Sequence, residues 1–65
     1  MIDVLHVAIA GAVDRVWGRP RTLNPYSQAA ARGYWEAWLL GWDQADFMLE
    51  SRGRREATRW LREAA

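Results

Sequence analysis

Cysteine and lysine are absent from this 65-residue chain, and histidine occurs once, at His6. Without thiols the chain forms no disulfide and no thiolate metal site, and a single imidazole does not make a zinc site. A domain of this length lies near the lower limit for folding alone, because its core is small. We therefore expect a single domain over residues 1–65 with no metal or cofactor, stabilised by aromatic packing, by a homodimer contact, or by a partner.

Long apolar runs are also missing. Residues 4–13 form the main one, which is too short to cross a bilayer and contains His6. It follows Asp3 rather than basic residues, so it does not resemble a secretory signal. These features predict a cytoplasmic protein that does not contact the membrane.

Catalytic motifs are absent as well. The chain has no glycine-rich phosphate loop, and no serine or threonine stands beside a base that would activate it. Asp43 and Asp46 lie one helical turn apart but lack a third metal ligand and a neighbouring nucleophile. We expect these carboxylates to be solvated, and we predict no catalytic residues and no enzyme.

Hydrophobic periodicity predicts an all-α fold. A first helix is expected over residues 2–17, where Gly11 indicates close approach by another helix. Gly18 provides a left-handed C-cap and Pro20 prevents continuation. Asn24 followed by Pro25 predicts the start of a long helix over residues 25–50.

A third, short helix is expected over residues 54–64, after a break at Gly53 and with Ser51 as a candidate N-cap. The predicted architecture is a small helical hairpin, with two main helices joined by a "GR…NPY" connection, plus this short C-terminal helix. The long helix is apolar around most of its circumference, so it must be buried on several sides.

Tryptophan is unusually frequent, with five in the chain and three within "YWEAWLLGW". A minimal three-helix core does not need that many indoles, so we expect part of this apolar surface to contact a dimer mate or a protein partner. The predicted interface residues are Trp38, Trp42, Phe47 and Trp60.

All nine basic residues are arginine, and they are unevenly distributed. Arginines interleaved with aromatic rings at the hinge are typical of RNA recognition, in which guanidinium groups meet phosphates and rings stack on bases. This prediction requires the hinge guanidiniums to be free of the chain's own carboxylates. A second group of arginines, in residues 52–62, has an alternative use in folding back on the acidic strip of the long helix. The predicted RNA-binding residues are Arg15, Arg19, Arg21, Tyr26 and Arg32.

Several short motifs resemble the ribosome modulation factor family. They are "GR" at 18–19, "PY" at 25–26, Arg32 with Trp35, "GW" at 41–42 followed by Ala45, and Gly11 in the first helix. The resemblance implies a small helical protein that binds the small ribosomal subunit near the 3′ end of its RNA and promotes inactive ribosome dimers. Related proteins of similar length are associated with fluoroquinolone resistance.

The resemblance assigns RNA contacts to Arg19, Tyr26 and Arg32, and fold positions to Gly11, Trp35, Gly41 and Trp42. The chain departs from the family in lacking a basic N-terminal tail and in carrying an arginine-rich C-terminal segment. From the sequence we therefore predict a bacterial modulator of translation and ribosome hibernation that binds small-subunit RNA. The alternatives are a phage- or plasmid-type protein-interaction module acting without RNA, and, from the family association alone, a drug-modifying enzyme.

Overall fold

The computed structural model describes residues 2–64 and confirms the all-α fold of two main helices and a short third one. Helix α1 covers Val4–Val16. A second helical stretch covers Arg32–Ala64 and contains one non-helical residue, Gly53 (φ 88°, ψ 170°), which divides it into α2 (residues 32–52) and α3 (residues 54–64). The connection from α1 to α2 contains a 3₁₀ turn at Arg21–Leu23.

Both ends of α1 are capped as the sequence predicts for a helix over 2–17. The Asp3 carboxylate accepts a backbone N–H of the first turn at 3.2 Å. At the other end Gly18 has a left-handed backbone (φ 88°), its N–H donates to the Arg15 carbonyl, and the Arg19 N–H donates to the Asp14 carbonyl. These two bonds form a Schellman motif, which ends the helix.

Helix α2 begins at Arg32, so the predicted start at residue 25 is wrong. The Asn24 side chain accepts the Tyr26 N–H at 3.0 Å, and this turn holds Pro25 outside a helix. The Ser27 hydroxyl then accepts two N–H groups of the following turn, each at 3.2 Å. Short polar side chains compete in this way with helical hydrogen bonding, and here they keep residues 24–31 in consecutive turns.

The break at Gly53 is confirmed, but Ser51 is not an N-cap. Its hydroxyl donates to the Phe47 carbonyl at 2.6 Å, within α2. Beyond the break, the Arg54 guanidinium donates to the Val16 carbonyl at 2.9 Å. This bond brings a cation to the negative C-terminal end of α1 and fixes the direction in which α3 departs.

The two main helices cross with their backbones in contact. A Cβ atom at Gly11 would overlap the Trp38 carbonyl, and one at Gly41 would overlap the Ala8 carbonyl. Only glycine permits this approach at both positions. The close approach that the sequence predicted at Gly11 is therefore confirmed.

Contacts follow the same order along both helices. The Tyr34 hydroxyl donates to the Ile2 carbonyl near the start of each helix, and Arg15 pairs with Asp46 farther along. Helices α1 and α2 therefore run in the same direction, and the connection must return along α2. Asn24 anchors this return by donating to an α2 backbone carbonyl at 3.0 Å.

The core has two parts, one on each side of the crossing. The first consists of Val7, Ala37 and Trp38, and the second of Ala12, Val16 and Ala45. Trp60 and Leu61 of α3 cover the second part, so α3 is a component of the core rather than an appendage.

Candidate interaction surfaces

Arg15 is held between α1 and α2. Its Nε donates to Asp46 Oδ1 at 2.8 Å, and its Nη2 lies 4.0 Å from Glu50 Oε1. The guanidinium carbon also stands 5.3 Å from the centroid of the Trp42 ring, a cation–π distance. This arginine is therefore partly buried and engaged on two sides.

Arg21 makes a two-pronged contact with Asp43. Its Nε and Nη2 donate to the two carboxylate oxygens at 2.9 and 3.1 Å. The hydrogen bonding and the charge of Asp43 raise the pKa of Arg21 above its ordinary value. Because the connection returns along α2, Arg21 is placed directly on the acidic strip of that helix.

The remaining hinge arginines also have carboxylate partners. Arg19 donates to Asp14 Oδ1 at 3.2 Å, while the other oxygen of Asp14 accepts the Trp38 indole N–H at 3.2 Å. Arg32 donates to Glu36 at 3.0 Å, one turn along α2. Asp14 therefore joins a surface arginine to the centre of the core.

Tyr26, the fifth residue predicted to bind RNA, packs its ring edge-on against Tyr34, with centroids 5.4 Å apart. It lies against the first part of the core rather than presenting a free face. Together these contacts leave the hinge without the free guanidiniums that the RNA prediction requires there. A phosphate that displaced a carboxylate would still lie beside that negative charge.

The arginines of the C-terminal segment do not fold back on the acidic strip. Arg59 pairs with Glu56 in its own helix at 2.7 Å, and Arg54 holds the end of α1. Three further arginines are exposed and form no ion pair with any residue of the range 2–64. They are Arg52, Arg55 and Arg62.

The four aromatic residues predicted to form a protein interface are in different environments. Trp38 is 0% exposed, so its assignment to an interface is wrong: the close crossing of α1 and α2 encloses it. Trp42 is half-buried and donates its indole N–H to the Arg19 carbonyl at 2.9 Å. Phe47 is 66% exposed, and Trp60 is half-buried.

An apolar groove of about 310 Å³ lies where the three helices meet. We call it the α1–α3 groove. Leu5 and Ile9 of α1, Leu40 of α2, and Trp60 and Leu61 of α3 line it. A shallower depression, lined by Phe47 and Met48 among others, adjoins it at the shared Trp60 ring. The groove and this depression form one apolar surface.

Sequence reasoning did not assign Leu5 and Leu40 to an interface, although they are 61% and 60% exposed. A signal was available for Leu40, because it is seven residues from Phe47 and thus on the same side of α2. For Leu5 no such signal existed, since its place in the periodic pattern of α1 predicts a core residue. The position of α3 determines that it borders a groove instead.

No helix within residues 2–64 combines the length and the apolar character needed to cross a membrane. Comparison of the chain with family models, with curated proteins and with solved structures gives no match.

Proposed function

We propose that this protein is a small cytoplasmic protein-interaction module that binds a segment of another protein in the α1–α3 groove. The observation that carries the proposal is the presence of two exposed leucines, Leu5 and Leu40, on different helices of one apolar groove. Single exposed hydrophobic residues are ordinary on protein surfaces, whereas a continuous apolar patch formed by several elements is typical of a binding site.

The size of the surface suits a short partner segment. Covering a large apolar side chain such as Leu5, Leu40 or Phe47 contributes about 1.5–3 kcal/mol each. Lost translational freedom and side-chain ordering offset part of that gain. A single helix or a short loop is enough to cover the groove, so an extended globular partner is not required.

The charges of the hinge favour this proposal over the RNA hypothesis as the sequence framed it. Arg15, Arg19, Arg21 and Arg32 each contact a carboxylate of the chain itself. Binding driven by apolar contact is expected to survive salt, whereas binding driven by phosphate neutralisation weakens steeply with salt.

The test is affinity capture from native lysate at low and high salt, with RNase in every sample. Leu40→Ser is the informative variant, and Leu23→Ser is its matched control, because Leu23 is 59% exposed but lies outside the groove. We expect a salt-tolerant partner that Leu40→Ser loses and Leu23→Ser keeps. Equal capture by both variants contradicts the proposal.

Binding to small-subunit ribosomal RNA is a second candidate, supported by the exposed arginines of the C-terminal segment and by the resemblance of the sequence motifs. Arg55 and Arg62 lie seven residues apart on one side of α3, and neither forms an ion pair within residues 2–64. In this version of the hypothesis the third helix, rather than the hinge, supplies the charge.

Co-sedimentation with small ribosomal subunits over a series of salt concentrations tests this second candidate. The double variant Arg55→Gln/Arg62→Gln is compared with Arg19→Gln/Arg21→Gln, which removes the same charge from the hinge. RNA binding through α3 predicts a weaker association, and a shallower dependence on salt, for the first double variant only. The absence of association at low salt refutes the candidate.

A further inference from the structure

Carboxylates border the α1–α3 groove and its adjoining depression. Asp43 lines the depression on the α2 side, beside Phe47. On α3, Glu63 follows Trp60 by three residues and Glu56 precedes it by four, so both share the side of α3 that carries this ring. Glu63 forms no ion pair within residues 2–64.

The positive charge of α3 lies on the other side of that helix. Arg55 and Arg62 are five residues before and two residues after Trp60, positions that place them away from the apolar side. In residues 2–50, four arginines stand against six carboxylates, a side-chain net charge of −2. The apolar surface is therefore bordered by negative charge although the whole chain carries +1.

We propose that the occupant of the α1–α3 groove is a basic amphipathic helix, an inference that rests on the interaction function proposed above. Its apolar side chains enter between Leu5, Leu40 and Trp60, and its lysines or arginines meet Asp43 and Glu63. Opposite charges across an interface fix orientation and speed association, while like charges exclude wrong partners.

The spacing of the exposed residues on α2 fits a helical partner. Leu40 and Phe47 are two helical turns apart, about 10 Å along the axis. A helix that lies in a groove presents apolar residues at positions i, i+3 or i+4, and i+7, which cover the same distance. A second copy of the chain is a poorer occupant, because a symmetric contact through this groove brings Asp43 and Glu63 towards their counterparts.

The test is calorimetric titration with two synthetic helical peptides of about five turns. Both carry leucine at i, i+3 and i+7, and they differ only in having lysine or glutamate at every other surface position. At low salt we expect the lysine peptide to bind about tenfold more tightly than the glutamate peptide. Added salt should reduce this difference without abolishing binding of the lysine peptide.

Four variants connect the binding to the groove. Leu40→Ser should abolish binding of the lysine peptide and Leu23→Ser should not. Glu63→Gln should narrow the difference between the two peptides, whereas Glu36→Gln, which removes an equal charge from a residue outside the groove and the depression, should leave it unchanged. Circular dichroism of each variant confirms that the helices are intact.

The outcomes separate this inference from the function on which it rests. Equal, Leu40-dependent binding of both peptides overturns the basic partner and leaves the interaction module standing. Failure of both peptides to bind, together with no Leu40-dependent capture from lysate, overturns the module itself. A dimer in analytical ultracentrifugation that Leu40→Ser dissociates assigns the groove to a second copy and also overturns the inference.

Discussion

Gly41 of α2 lies against the backbone carbonyl of Ala8 of α1, so that a Cβ atom at position 41 would overlap the oxygen. One turn away, Gly11 stands in the same relation to the Trp38 carbonyl. No side chain separates the helices at this crossing. The relative position of α1 and α2, and with it the shape of the groove, depends on these two glycines.

Gly41→Ala is expected to destabilise the protein by about 3 kcal/mol or more, because the added methyl group meets backbone that cannot move aside. A core of this size supplies only about 3–5 kcal/mol, so the variant should be largely unfolded by far-UV circular dichroism. Gly33→Ala is the matched control, since nothing lies within 4 Å of its Cβ position. It should raise stability by up to about 1 kcal/mol through helix propensity. Equal melting temperatures for the two variants would rule out the close crossing.

Trp38→Ala should lower the free energy of unfolding by about 3–5 kcal/mol, because the ring is fully buried and its N–H is bonded to Asp14. Trp17→Ala, at a residue that is 75% exposed, should change it by less than about 0.5 kcal/mol. Urea unfolding followed by circular dichroism measures both. A Trp38→Ala protein that keeps its stability but loses a partner would restore the interface assignment.

Asn24→Ala should cost about 2 kcal/mol, since the side chain accepts the Tyr26 N–H and donates to the Trp35 carbonyl. Asn24→Asp keeps an acceptor for the first bond but loses the donor of the second, so about half of the loss should remain. Urea unfolding of both variants against Thr22→Ala, an exposed neighbour, provides the comparison. Equal losses for the alanine and aspartate variants would mean that the turn at Tyr26 contributes nothing.

Asp46→Asn should destabilise the protein by about 1–2 kcal/mol, because it leaves the partly buried Arg15 without its closest carboxylate. Glu36→Gln breaks the exposed pair with Arg32, and its effect should stay below about 0.5 kcal/mol. Thermal unfolding at low and high salt compares them. If the two losses are the same, the burial of Arg15 has no energetic consequence.

The capping signals of α1 could be read from the sequence because they are local. Asp3 and Gly18 satisfy the orphan backbone groups of their own helix, so neighbouring residues are sufficient to predict them. The pair Asn24–Pro25 was ambiguous, because the same residues favour an N-cap and a turn. The polar side chain of Ser27, which stabilises a separate turn, decided for the second.

The roles of the tryptophans and arginines could not be predicted from periodicity. Trp35, Trp38 and Trp42 share one face of α2, yet only the ring beneath the crossing is fully buried. Likewise, which carboxylate Arg21 meets depends on the direction in which the connection returns along α2. Both outcomes follow from the parallel arrangement of α1 and α2, which no local pattern encodes.

Gly53 also determines how long the molecule is. With ordinary helical torsions at that residue, residues 32–64 would form one straight rod about 50 Å long, whereas the folded chain measures 35 Å along its longest axis. Straightening would lift Trp60 and Leu61 from Ala12 and Val16 and dismantle one wall of the groove. A single elbow thus sets both the hydrodynamic size of the protein and the existence of its binding surface, and a rod-like form is the geometry in which two chains would exchange their last helices.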